Sequence, residues 1–348
     1  MKVLLLHEMS GVHTELKKGL LDIGIEARIA TLGDGSKRYD TDIFLGNPGN
    51  GIPAALSRML AQISVANKLR SFDIIQTISP NPFFKPLSKA LANHVFNDPE
   101  KCIYVAAGSD AIYRKHVRTL AYHPPHDWHE DDHKYNGLRD LISEFKEVVP
   151  LCWEYKYSLQ QAGLTPPEVV PFPIEISRHR VHPIKKRGRL KIFHPLNRIN
   201  RTNDFKGTSL ILKAFDILNT KYGRYAEFIT SGGMNHRDYD SFTNGMDIIV
   251  DQAYSYSYGM SAAYALAKGK IVLSGMESEA RANGIYCDCP VINIRPNVQD
   301  IADKIASVIE SRSKLGILSD ASRDFAERFH DHKEVARQYA EIYHRPKQ

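Results

Sequence analysis

With 348 residues, the chain exceeds the usual span of one hydrophobic core, and two domains are expected. Its 43% hydrophobic content is that of an ordinary globular protein. An excess of 46 Lys and Arg over 40 Asp and Glu gives a formal charge of +6, which suits an anionic ligand, an anionic membrane surface or nucleic acid and selects none of them. The apolar run before His7 and Glu8 is too short for a signal-peptide core, and no later run approaches a membrane span, so a cytoplasmic protein is expected. Cys102, Cys152, Cys287 and Cys289 lack the spacing of a redox or zinc motif and are read as reduced thiols.

The chain opens with a buried strand, Lys2 to Leu6, and Ser10-Gly11 turns into a helix with Leu16, Leu20 and Ile23 on one side and Gly24 at its end. Ser10-Gly11 reads either as a tight turn or as a loop whose backbone amides approach an anion. No G-x-G-x-x-G follows the first strand, so a dinucleotide dehydrogenase lacks its fingerprint. Strands are expected at Ala27 to Thr31, Asp73 to Ile78 and Ile103 to Ala107, with helical spacing from Ala54 to Leu69. The last of these strands ends in Gly108-Ser109-Asp110. A hydroxyl and a carboxylate there are placed as open α/β sheets place functional groups, and equally as a helix N-cap.

The segment from His116 to His133 interleaves His123, His126 and His129 with Trp128 and four acidic residues. Such a set has the donor types of a transition-metal site, but Pro124-Pro125 breaks any helix that would align the imidazoles. No metal is assigned, and the segment is read as an acceptor-facing loop. Glu168 to Pro173 reads as a short strand closed by proline. The basic run that follows, residues 176–189, reads as an interdomain linker.

A second α/β pattern begins at Leu190. Its polar loop from Asn197 to Gly207 carries Arg198, Arg201 and Lys206, and a strand from Glu227 ends near Ser231-Gly232-Gly233. Residues 247–275 form the clearest unit: an apolar strand (Ile248 to Val250), a polar loop, Gly259 leading an Ala-rich helix, Gly269 as its C-terminal stop, and another strand, Ile271 to Leu273. In parallel sheets such a helix start holds phosphorylated ligands. Further elements are a strand at Val291 to Ile294, a helix with Ile301, Ile305 and Val308 on one side, and a final helix from about Ser319 to Tyr343.

Asn197-Arg198, Lys206-Gly207, Gly232-Gly233, DIIVDQ, Tyr258-Gly259, Ala265 and Gly269-Lys270 stand together in an order that resembles the C-terminal domain of GT-B glycosyltransferases, in particular the glycogen-synthase-like group called family 4. Ser10-Gly11, FDIIQTIS and AAGSD resemble the corresponding parts of the first domain. The resemblance implies an α/β fold of two Rossmann-like domains facing across a cleft. It divides the chain into an acceptor domain (1–175), the linker (176–189), a sugar-nucleotide domain (190–318) and a helix crossing back (319–348).

It further implies a glycosyltransferase that moves a sugar from a UDP- or GDP-linked donor to a hydroxyl, with retention and with no metal or other cofactor. Arg198 and Lys206 would then neutralise the leaving diphosphate with help from the helix start, although both have an alternative as solvated surface charges. Asp110 is the remaining catalytic candidate. Donor-binding candidates are Ser10, Gly11, Gly232, Gly233, Tyr256, Ser257, Tyr258, Gly259, Met260 and Tyr264. Gly108, Ser109, His123, His126, Trp128 and His129 would face the acceptor.

The chain departs from the family pattern at two sites. Tyr256 and Tyr264 stand where a glutamate pair brackets the helix, and a phenol cannot replace a bidentate carboxylate on ribose. Glu277 and Glu279 either supply that carboxylate or are surface charges. Ala107 replaces the histidine expected before Gly108. The acceptor is read as a surface glycan or lipid-linked precursor, with contact to an anionic membrane. A second acceptor class is a hydroxylated DNA base, with Arg114, Lys115, Arg118 and the basic linker along the groove. The departures also leave open a sugar-nucleotide or glycan binder without turnover.

Overall fold

The computed structural model describes residues 1–32, 39–125, 131–184, 188–196, 204–282 and 286–347. In the first half, strands β1 (Lys2–Leu6), β2 (Glu26–Thr31), β3 (Ile43–Phe44), β4 (Ile74–Thr77), β5 (Cys102–Ala106) and β6 (Glu147–Pro150) alternate with helices α1 (Val12–Asp22), α2 (Ile52–Arg70), α3 (Ser88–Val95), α4 (Ala111–His116), α5 (Asp132–Ser143) and α6 (Trp153–Gln161). In the second, β7 (Leu190–Leu196), α7 (Thr208–Tyr222), β8 (Ala226–Gly232), α8 (His236–Asn244), β9 (Ile248–Val250), α9 (Met260–Ala267), β10 (Ile271–Ser274), α10 (Ser278–Arg281), β11 (Ile292–Asn293) and α11 (Val298–Glu310) precede α12 (Leu315–Phe329) and α13 (His332–His344).

Strands such as β1, with Val3 to Leu6 wholly buried, carry apolar side chains on both faces because helices cover both faces of a parallel sheet. The first sheet has the order β3-β2-β1-β4-β5-β6 and the second β11-β10-β9-β7-β8, and every pairing among the described residues is parallel. Both orders reverse direction once. The reversal lies between β1 and β4 in the first sheet and between β7 and β9 in the second, where the chain leaves adjacent strands in opposite directions and opens a crevice.

The unit around α9 forms as its residues dictate. Gly269 takes a left-handed φ of +65°, and the N–H groups of Gly269 and Lys270 return to Leu266 and Ala265 and close the helix. Ala262, Ala263, Leu266 and Ala267 are fully buried, so the small residues let α9 pack closely between its sheet and α12.

Two expectations are corrected. Residues 168–173 are not a strand: Pro171 and Pro173 remove ladder donors, and pairing is confined to a single bridge between Ile174 and Asp331. The last helix is two helices, broken where the Asp331 carboxylate accepts from the N–H groups of Lys333 and Glu334 and starts α13 anew. α12 packs on α9 and α13 on α1, so the chain end ties the second sheet's layer to the first. In the basic run, Arg178 and His179 line the cleft described next.

Candidate active site

A cavity of about 310 Å³ opens between the carboxyl edges of the two sheets, of the size that holds a small ligand. From the first half it is lined by the β1 and β5 loops (Met9, Ser10, Gly108) and by Glu154 and Tyr155 of α6. From the second it is lined by Lys206, the β8 end (Ser231 to Gly233), Asp251 and the α9 start (Gly259 to Ser261).

Lys206 and Asp251 follow β7 and β9, the two strands that flank the second sheet's switch point. Lys206 Nζ donates to Asp251 Oδ1 at 2.5 Å, with the residues 8% and 1% exposed. A cation is thus held at the crevice by one carboxylate oxygen, and the other, Oδ2, has no hydrogen-bond partner among the described residues. A Lys ammonium has three N–H donors, so the pair fixes Nζ and leaves donors for an anion. Nearby, Asp240 accepts from Lys268 at 2.7 Å and lies 3.3 Å from His179. Burial raises the Asp240 carboxyl, but these hydrogen bonds outweigh it and hold the group below its ordinary range.

The α9 start has no side-chain cap of its own. Just before it, the N–H groups of Tyr256 and Ser257 donate to Glu154 Oε1 at 2.6 and 2.8 Å, and the Ser255 hydroxyl donates at 2.5 Å. The carboxylate of α6 therefore crosses the cleft to occupy these amides, while its Oε2 has no hydrogen-bond partner among the described residues. The same pattern stands at Ser10-Gly11. Glu8 accepts from Gly11 N at 2.9 Å and Thr14 N at 2.7 Å, so the α1 start already holds an internal anion. Gly11 has φ +96°, and a Cβ there would lie 2.7 Å from Tyr264 Oη. This loop accordingly accepts glycine for both its backbone and its contact with α9.

Of the expected residues, the structure brings Ser10, Gly108, Lys206, Gly232, Gly233, Tyr258, Gly259, Met260 and Tyr264 to the cavity wall. Asp110 is elsewhere engaged. Buried, it caps α4 through Tyr113 N at 2.8 Å and accepts from Tyr104 Oη at 2.8 Å, and burial raises its carboxyl. This geometry is that of the N-cap alternative, and Asp110 is not among the residues that line the cavity. Glu277 is likewise committed. Arg295 clamps both its oxygens at 2.8 and 2.9 Å, with Asn293 and Tyr122 also donating, and its pKa is lowered to about 2, chiefly by Arg295. Neither Glu277 nor the exposed Glu279 lines the cavity.

Tyr256 points away from the cavity into an aromatic stack, with Trp153 at 5.2 Å and Tyr122 at 4.8 Å. Ser257 sits behind it, its hydroxyl accepting from Trp153 N, and Ser109 and His123 lie outside the lining. Arg198, His126, Trp128 and His129 fall outside the described residues. Among the described residues no group of three His, Cys, Asp or Glu could hold a metal ion, and no helix is long and apolar enough to cross a membrane.

Sequence reasoning missed Glu154, His179, Asp240 and Tyr39, all four of which line the cavity. Asp251 was legible as the polar residue that ends β9. The others had no local signal, because their partners are remote in the chain.

Two doubly wound parallel sheets facing across a cleft, with the last helix returned to the first, are the GT-B architecture. Solved structures share it over nearly the whole chain. Anabaena HepE in complex with UDP and glucose has a TM-score of 0.66 at 14% identity, covering 98% of each chain. Sucrose-phosphate synthase from Thermosynechococcus elongatus has a TM-score of 0.68 at 12% identity, covering 99% of this chain and 98% of that one. The lipopolysaccharide outer core galactosyltransferase WaaB has a TM-score of 0.54 at 13% identity, covering 98% and 99%. No protein-family model and no curated protein sequence matches the chain.

Proposed function

We propose that the chain is a glycosyltransferase that moves a sugar from a nucleotide-sugar donor to a hydroxyl acceptor, probing the donor with its second domain (190–318) and the acceptor with its first (1–175). The observation that carries this reading is the buried Lys206, anchored by Asp251 at the switch point of the second sheet and facing a ligand-sized cleft. Departure of a nucleoside diphosphate builds negative charge there. A fixed cation stabilises that charge without reorganising, and the α9 start adds its partial positive charge. Arg198 is assigned as the second cation. In this scheme the two cations and the helix perform the neutralisation that a divalent ion performs elsewhere, and the transfer proceeds with retention. The HepE structures contain UDP and UDP-glucose, and the same donor class is assigned to this chain. The acceptor is a glycan or a lipid-linked precursor.

The reading is tested by calorimetric titration with UDP, GDP and their hexose conjugates. Binding of one nucleotide is expected, and Lys206→Ala is expected to weaken it by about 1.5–3 kcal/mol, the worth of a charged hydrogen bond, with circular dichroism unchanged. Unaltered affinity in that variant would remove Lys206 from the site.

A second reading, a sugar-nucleotide or glycan binder without turnover, is favoured by one observation: Glu154 holds the amides of Tyr256 and Ser257, which are then not free to stabilise a departing diphosphate. Glu154→Gln decides between them. If the carboxylate blocks the donor, the neutral variant binds UDP more tightly and acquires donor hydrolysis; an unchanged lack of hydrolysis alongside tight binding favours the binder.

A further inference from the structure

The longest helix of the first half turns an aliphatic face to solvent. Ile52, Leu56, Leu60 and Ile63 on α2 are 84%, 49%, 57% and 53% exposed. At about 100° per residue their side chains fall within an arc of roughly 80°. The opposite face of the same helix is the one that packs inward, through Ala54, Gln62, Ala66 and Leu69. Scattered exposed leucines are ordinary, but a continuous stripe over three turns is a surface feature that marks an interaction site.

The stripe is rigidly presented. Arg58 Nη1 donates to the carbonyls of Asn47 and Gly49, both at 2.7 Å, and Gln62 spans from Leu45 O to Phe84 N, so the middle and the C-terminal end of the exposed section are tied to the body of the domain. Because α2 follows a strand of a parallel sheet, it begins at the strands' carboxyl ends, the edge on which the cleft opens. The most exposed residue, Ile52, is therefore at the cleft side of the molecule.

The charge around the stripe is one-sided. From Ile43 to Asn97 the sequence has five cations (Arg58, Lys68, Arg70, Lys85 and Lys89) and one carboxylate, Asp73, which is taken up by the Lys2 backbone N–H at 2.7 Å. Arg70 continues the line of the stripe by the same angular count. Lys68, Arg70, Lys85 and Lys89 are exposed, the last two on the segment that packs beside α2.

We infer that this face of α2 docks on an anionic lipid bilayer surface, its aliphatic side chains entering the headgroup boundary and its flanking cations meeting lipid phosphates. The two features together select the occupant. A second copy of the chain related by a two-fold axis would bring the same uncompensated cations face to face. A nucleic acid would use the cations but has nothing to place against four aliphatic side chains, since its bases stack on aromatic ones. A bilayer of anionic lipid uses both. The inference goes beyond the proposed reaction, and its test uses no sugar donor.

The experiment is flotation of the full-length protein with phosphatidylglycerol–phosphatidylcholine vesicles and with phosphatidylcholine vesicles alone. Flotation with the mixed vesicles, falling as salt is raised, is expected, and little with the neutral ones. Replacing the stripe (L56S/L60S/I63S) at positions already in water leaves the thermal unfolding midpoint unchanged and abolishes flotation. Removing two cations (K68A/R70A) weakens partitioning by about 30-fold, at the per-residue electrostatic attraction of a Lys or Arg to such a surface. Failure of the wild-type protein to float, equal flotation with both kinds of vesicle, or undiminished flotation of the serine variant would overturn the inference. So would a wild-type dimer in analytical ultracentrifugation that the serine variant dissolves, which would assign the stripe to a second copy.

Discussion

Three buried histidines make the molecule sensitive to acid. His13, His194 and His330 are at most 1% exposed, and burial lowers the pKa of each to about 4. Each has its Nδ1 against a backbone carbonyl, that of His7, Val250 or Phe172, so the neutral Nδ1–H tautomer fits. The unfolded chain takes up protons near pH 6.5 and the folded chain only near pH 4, so the folded state binds fewer protons between these values. Stability is therefore full above about pH 6.5 and falls as pH drops through that window, by up to about 3 kcal/mol per histidine. A thermal melt series should show the midpoint flat from pH 8 to 7 and descending below about pH 6.5; a flat profile down to pH 4.5 would contradict the neutral assignments. At this scale the sequence was only partly legible. Lys206 could be picked out because a basic residue between a strand and a helix has a local meaning. Glu154 could not, because its partners Ser255, Tyr256 and Ser257 lie about a hundred residues away.

Elements whose signal is local were readable. β1, β4, β5, β9 and β10 are uninterrupted apolar runs, and α1 and α9 end at glycines that only a left-handed stop explains. The short β6 and the helix α6 behind it gave no comparable signal, since four residues of strand carry little periodicity. The break between α12 and α13 was hidden because apolar spacing continues across it. What seats α13 is the absence of a side chain opposite: a Cβ on Gly19 of α1 would lie 2.1 Å from the His332 carbonyl oxygen and 2.9 Å from Ala336 Cβ. Gly19→Ala is accordingly expected to push the two helices apart at a cost of about 2–3 kcal/mol. Chemical denaturation would read that loss, and a stability equal to wild type would mean that α13 is loosely seated.

Across the whole molecule, the two sheets are held in one arrangement by contacts that share no single type. The Glu154 carboxylate bridges to the 255–257 loop, the Tyr122–Tyr256–Trp153 stack closes over it, and a continuous apolar cluster runs from β1 through Phe172 to Tyr258 and Phe325. Glu154→Ala leaves two amides without an acceptor, at about 1–3 kcal/mol each if they stay dry. The expected outcome is a more open average shape, seen as a larger radius of gyration in small-angle X-ray scattering; an unchanged radius would assign closure to the aromatic stack and apolar cluster alone. The return of α13 to α1 also has a consequence for synthesis. The wall of α1 (Val12–Asp22) that Val335, Ala336 and Tyr339 cover is made long before its cover, α13 (His332–His344), which follows the whole of the second sheet. During translation the first half therefore emerges with an unfinished apolar flank, and it depends on chaperone shielding or on slow, post-translational docking of the C-terminal segment to complete its fold.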